Sequence, residues 1–206
     1  MKKIVTIAAA AGIVGLVLAP VSHAALTANS TLSQTITAGT LSTDIRNASG
    51  SPVSNPTFSL GATSVSTNAQ TATGKFGNNT NRITVDNPGG ANNGWTLTLN
   101  ATTPGTAKWT DGGKNYAYNG TATTGQLTVD PSAGTLQSEV GSSTGITKGS
   151  SATFSGSTPI TLLTAAANSD DIWRGHLTDV DLSQKIPASQ AAGTYTLNLT
   201  QTVAAV

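Results

Sequence analysis

The sequence contains no cysteine. That absence removes disulfides, thiolate metal sites, thiol catalysis and lipid modification of an N-terminal cysteine together. Charge is scarce as well. Ten Lys and Arg against nine Asp and Glu in 206 residues give a net charge of +1, and no basic run occurs. Nucleic acid and anionic membrane surfaces are held by clustered Lys and Arg, so neither is an expected partner. Aromatics are 4% of the chain, and histidine occurs only at His23 and His176. A hydrolase needs a nucleophile with a base, two cooperating carboxylates or a metal. With one glutamate, Glu139, and no elbow to present a serine beside His176, the chain carries no assembled catalytic set. We expect a protein that is not an enzyme.

What is present begins with an address. "MKKIVTIAAAAGIVGLVLAPVSHA" places Lys2 and Lys3 before an apolar run, Ile4 to Ala19, then Pro20 and the triplet Ser22-His23-Ala24. These are the charged region, apolar core and small-residue cleavage site of a secretory signal peptide. The other reading is a retained membrane anchor, for which the run is short of the roughly 20 residues a span requires. Cleavage after Ala24 would carry His23 away and leave 25–206 as a single domain, exported and without a membrane span or covalent tether.

Threonine is the commonest residue, and glycine and serine are abundant. β-Branched threonine suits the half-buried surface of a pleated sheet. Apolar residues also alternate with polar ones: Leu32, Ile36 and Ala38, then Leu41 and Ile45 after Gly39; Phe58 and Leu60; Ile83 and Val85; Trp95, Leu97, Leu99 and Ala101. Leu127 and Val129, Ala152 and Phe154, "PITLLT", Val180 with Leu182 and Ile186, and Tyr195 with Leu197 and Leu199 continue the series. Period-two runs bounded by Gly, Pro, Asn and Ser predict about nine short strands, hence an all-β fold, an antiparallel β-sandwich with long polar loops. The only helix candidate is "LLTAAANSDDIW". Two segments read as long loops, "TTPGTAKWTDGGKNYAYNGTATTG" and "PSAGTLQSEVGSSTGITKGS"; the first, with Trp109, Tyr116 and Tyr118, suggests a hairpin excursion with its own aromatic cluster. No linker or repeat divides the chain.

Few residues are candidates for a site. Asp170, Asp171, Asp179 and Asp181 lie within twelve positions and could supply oxygen ligands to calcium as a cofactor, although their spacing matches no known calcium loop. The alternative is that Asp179 and Asp181 are the outward alternates of Val180 and Leu182, with Asp170 and Asp171 in a cap or loop. Asp86 has the same two readings, a cation ligand with Asn87 and Asn92 or an acceptor of backbone N–H groups before Trp95. Trp95 shares the parity of Leu97 and Leu99, which favours the core over a sugar-binding face. Trp109 and Trp173, in polar surroundings, are the tryptophans expected at the surface.

"ITVDNPGGANNGWTLTLNA" resembles the first half of the WxL domain pattern, in which an Asp-, Asn- and Gly-rich turn leads into a Trp-x-Leu strand, here Trp95-Thr96-Leu97. "KIPASQAAGTYTLNLTQTV" is similar to that family's closing strand, and "STLSQTITAGTLSTDI" to the start of secreted Gram-positive β-sandwich proteins, including camelysin- and TasA-type fibre subunits. The second Trp-x-Leu of the pattern is replaced by Leu199-Thr200-Gln201. The resemblance implies a secreted surface protein held non-covalently on the cell wall, through peptidoglycan, or on partner surface proteins. Trp95, Leu97, Tyr195 and Leu199 are the binding candidates. A second expectation is self-assembly into an extracellular fibre or pilus, with residues 25–38 completing a neighbour's sheet by strand addition.

Overall fold

The computed structural model describes residues 28–89, 93–167, 169 and 172–206. The signal-peptide and cleavage expectation, and those on Asn92, Asp170 and Asp171, lie outside the described residues. The chain divides into two units, Met1–Ile36 and Thr37–Val206. In the first, residues 28–36 are exposed and have no regular secondary structure.

The second unit is all-β, as the alternation predicts. In chain order its strands are β1 (Ser42–Arg46), β2 (Gln70–Phe76), β3 (Arg82–Pro88), β4 (Trp95–Ala101), β5 (Trp109–Asp111), β6 (Lys114–Tyr116) and β7 (Gln126–Asp130). They continue with β8 (Thr135–Val140), β9 (Ile146–Lys148), β10 (Ala152–Thr153), β11 (Ile160–Ala165), β12 (Ile172–Thr178), β13 (Val180–Ile186) and β14 (Leu199–Ala205). Three antiparallel sheets result: sheet I in the order β1-β3-β12-β8, sheet II in the order β10-β7-β13-β2, and sheet III in the order β14-β4-β11-β9. Strands β5 and β6 form a separate hairpin. The architecture is an antiparallel β-sandwich, with fourteen strands among the described residues instead of about nine.

Local chemistry sets the joints. Asn78 Oδ1 accepts from the backbone N–H of Thr80 and Asn81, closing the turn between β2 and β3. Asp179, at φ 59°, is a one-residue corner between β12 and β13, through which the chain passes from sheet I to sheet II. Gly94 precedes β4 at φ +90°, where a Cβ would strike the carbonyl oxygen of Ala165. Glycine is the residue that tolerates both constraints.

Strand β4 alternates buried and half-buried positions throughout, and its buried row is Trp95, Leu97, Leu99 and Ala101. That row meets sheet I where the Trp95 and Trp173 rings lie 5.5 Å apart. Residues of all three sheets join in one core, including Ile83 and Leu177 from sheet I, Leu127 and Val129 from sheet II, and Leu163 from sheet III. A buried tryptophan removes roughly 200 Å² from water, and at about 25 cal/mol per Å² each contributes on the order of several kcal/mol.

Four expectations are corrected. The run from Thr31 to Ala38 forms no strand; its side chains find no sheet to join, and Leu32 is 95% exposed. Of the helix candidate, residues 162–165 are the end of β11 and residues 172–173 the start of β12. Phe58 and Leu60 lie in an irregular segment whose single bridge, Leu60 to Gly74, lies beside β2. The second long loop contains β8 and β9, which pair with β12 and β11 in different sheets. The first does form a hairpin, β5–β6.

Candidate functional site

The binding candidates separate into two places. Trp95 is 1% exposed and Leu97 fully buried, so both belong to the core and present no face to a ligand. Leu199 is half-buried at the start of β14, opposite Ala101, with its side chain against the same core. The fourth, Tyr195, lies elsewhere, half-buried before β14.

Around Tyr195 an aromatic ladder assembles. The Tyr195 ring meets Tyr116 edge-on with centroids 5.1 Å apart, and Tyr116 stacks on Trp109 at 6.1 Å and 14°. Trp109 and Tyr116 face one another as a pair in the β5–β6 hairpin. The hairpin is tied down from two sides. The Trp109 indole Nε1 donates to Oε1 of Gln184 at 2.8 Å, and Thr110 exchanges both backbone bonds with Thr196 at 2.9 Å. Lys114 Nζ donates to the Ala192 carbonyl at 2.6 Å, while Gly193 leaves room for the Asp111 carboxylate where any Cβ would collide with it.

Beside the ladder is a cleft of about 390 Å³ lined by Tyr116, Tyr195, Gln190, Gln70 and the segment Thr63–Ser66. No charged side chain lines it. Tyr195 Oη accepts from Gln190 Nε2 at 2.7 Å and donates to the Ala191 carbonyl at 2.8 Å, fixing both ring and amide at the rim. Ser189, in the left-handed region at φ 56°, donates its N–H to the Ser66 carbonyl and joins the two walls. Burial, with a smaller contribution from Tyr195, pushes the Tyr116 hydroxyl up to about 12, so it stays protonated and able to donate at any physiological pH.

The aromatic cluster expected in the excursion therefore exists, with different membership. Tyr118 leaves it for the core against Phe154, and Tyr195 joins from far along the chain. Trp173, expected at the surface, is fully buried, and its Nε1 donates to Ser138 Oγ at 2.8 Å. Gln190 carried no signal in the sequence.

Charge gathers at a second place, the outer face of sheet I. All three arginines, Arg46, Arg82 and Arg174, lie there with Asp44, Asp86 and Glu139. Asp86 pairs with Arg46 at 3.5 Å and Arg174 at 3.9 Å, in place of the turn or cation role expected for it. His176, 3% exposed, places Nδ1 3.0 Å from Glu139 Oε1 and Nε2 3.1 Å from the Gln137 amide. Burial chiefly, and the Arg82 charge, lower the His176 pKa from 6.5 against the opposing hydrogen bond and charge of Glu139. The ring is then neutral, with the proton on Nδ1. Nε2 faces Gln137 Oε1, so a ring that carries its proton on Nδ1 requires that amide to be turned, its nitrogen donating to Nε2. No hydroxyl among the described residues is hydrogen-bonded to His176. Gly141 to Gly145 does spell Gly-x-Ser-x-Gly, but Ser143 lies between two strands with Oγ bonded to Ser138 Oγ at 2.6 Å. That motif functions at a strand-to-helix elbow, which is not the setting here.

Of the acidic cluster, Asp181 pairs with Lys75, and Asp179 forms the corner, where one carboxylate oxygen accepts from Thr178 Oγ1 at 3.0 Å. No group of three metal-ligating side chains occurs among the described residues.

No family model matches the chain. No curated protein and no solved structure matches it either.

Proposed function

We propose that this chain is a secreted, non-enzymatic surface protein that holds the cell wall non-covalently by binding peptidoglycan glycan in the Tyr116–Tyr195 cleft. One observation carries the reading: an uncharged cleft rimmed by hydroxyl and amide groups has the half-buried Tyr195 ring on its wall, backed by the buried Tyr116 and by Trp109. Sugar rings offer apolar C–H faces to aromatic rings and hydroxyls to amides and side-chain oxygens, and such a site needs neither metal nor formal charge. The uncharged lining fits the uncharged sugar backbone. Trp95 enters this reading only as the core residue that keeps sheet III in place.

Co-sedimentation with purified peptidoglycan tests it. The processed chain is expected to pellet with the wall, and Tyr195→Ala to stay in the supernatant while keeping the wild-type far-ultraviolet spectrum. Trp95→Ala serves as the contrast: it should lose about 3–5 kcal/mol of stability through the cavity it opens. Wild type that stays in the supernatant, or folded Tyr195→Ala that pellets as well as wild type, would remove the cleft as the wall site.

A further inference from the structure

The outermost strands of the three sheets differ in how they discourage pairing with another chain. Charged side chains, short length and irregular cover are the usual devices. β1 carries Asp44 and Arg46, β2 carries Lys75 and the Leu60 bridge, β8 carries Glu139, β9 carries Lys148, and β10 has two residues. β14, Leu199–Ala205, has none of these: seven residues, no charge, no proline and no glycine. Its core-side row, Leu199, Gln201 and Val203, is half-buried and therefore incompletely covered. Gln201 donates its amide to Thr43 Oγ1 at 2.7 Å, but its buried Oε1 accepts no hydrogen bond among the described residues.

The exposed run near the N-terminus has the complementary pattern. Residues 28–38 also contain no charge, proline or glycine, and Leu32 and Ile36 are 95% and 88% exposed. Leu32-Ser33-Gln34-Thr35-Ile36-Thr37-Ala38 resembles Leu199-Thr200-Gln201-Thr202-Val203-Ala204-Ala205, with Leu, Gln, Thr and Ala at four matching places, Ser for Thr, Ile for Val, and Thr37 for Ala204.

We infer that β14 is the docking edge for residues 28–38 of a second copy of this chain. Antiparallel addition with Gln34 opposite Gln201 sets Leu32 against Val203 and Ile36 against Leu199. It extends the half-buried row outward and brings an amide donor to the orphaned Gln201 oxygen. Backbone bonds provide affinity and the Leu-Gln-Ile row fixes register, because a one-residue slip would turn that row to solvent. Donor and acceptor are different surfaces, so the contact is heterologous and copies add head to tail.

Light scattering on the processed chain is expected to give masses above the monomer, rising with concentration. That association should be lost on deleting residues 25–38 and equally in Leu32→Lys/Ile36→Lys, which keeps the segment. A synthetic peptide of residues 28–38 should bind the deleted chain, and Thr200→Lys/Thr202→Lys, placed on the exposed side of β14, should abolish that binding with an unchanged melting temperature. A monomeric wild type, association that survives Leu32→Lys/Ile36→Lys, or peptide binding indifferent to the β14 lysines would overturn the inference. Peptidoglycan sedimentation of the deleted chain reads the cleft separately, so failure of one proposal leaves the other standing.

Discussion

A single histidine concentrates the electrostatics of this nearly neutral molecule. His176 lies under the long side chains of sheet I, with Nδ1 beside Glu139 and Nε2 beside the Gln137 amide, and with Arg82 close enough to oppose a charge on the ring. Its folded pKa is depressed below 6.5, so the unfolded chain binds this proton more readily. The sign follows: the contribution to stability is complete above 6.5 and is lost as pH falls below 6.5 toward the lowered folded value. Urea midpoints at about pH 7.5 and about pH 5.5 bracket that window and stay above the range where ordinary carboxylates titrate. Wild type should lose stability between the two, and His176→Gln should lose measurably less, because its amide can bond to both neighbours without titrating. Equal losses in the two proteins would mean that the ring is not held neutral.

At the scale of elements, the hairpin β5–β6 depends on one buried side chain of another strand. Gln184 sits on β13 between the core residue Leu182 and the half-buried Ile186, itself fully buried, where alternation alone predicts an apolar residue. Its Oε1 receives the Trp109 indole and its Nε2 bonds to the Lys185 carbonyl at 2.7 Å. Gln184→Leu would remove the acceptor of the half-buried Trp109 indole, at about 1–3 kcal/mol for a buried donor left unpaired and less where water reaches it. We expect a lower urea midpoint, a red-shifted Trp109 emission and weaker glycan binding, since Tyr116 and Tyr195 lose their backing; unchanged emission would mean that the hairpin is anchored without Gln184. The same elements mark how far the sequence can be read. Strands with two or more apolar alternates, such as Trp95-Leu97-Leu99 or Leu127-Val129, are legible because burial on one face imposes period two. β8 and β9 present one core-facing apolar residue each, Leu136 and Ile146, too little for a period to emerge. In β12, Gly175 occupies the inward position between Trp173 and Leu177 because the Trp173 ring fills the space of a Cβ; the gap hides the pattern and makes Trp173 look like a surface residue. The cleft was half legible. Trp109 and Tyr116 lie close together in sequence, but Tyr195 and Gln190 reach them only through pairing of Thr110 with Thr196, a contact that no local pattern encodes.

Across the whole folded unit, Thr37–Val206, stability rests on packing and hydrogen bonding, since no disulfide can form. Sheets I and II are continuous through the Asp179 corner, and sheets I and III meet through Trp173 and Trp95, so no sheet can separate without opening the common core. Losing that core is the costly step in unfolding, and an element whose removal exposes it should not unfold ahead of the rest. Urea unfolding should therefore proceed in one transition. Tryptophan fluorescence reports mainly on the I–III contact, whereas far-ultraviolet circular dichroism averages over every strand, so coincident curves would require all three sheets to melt together. Separated midpoints, with the tryptophan signal moving first, would mean that sheet III detaches while I and II persist. In that case β14 would be a foldon of low local stability. Coincidence would instead make the unpaired edge of β14 part of a rigid body, available for pairing without any prior unfolding.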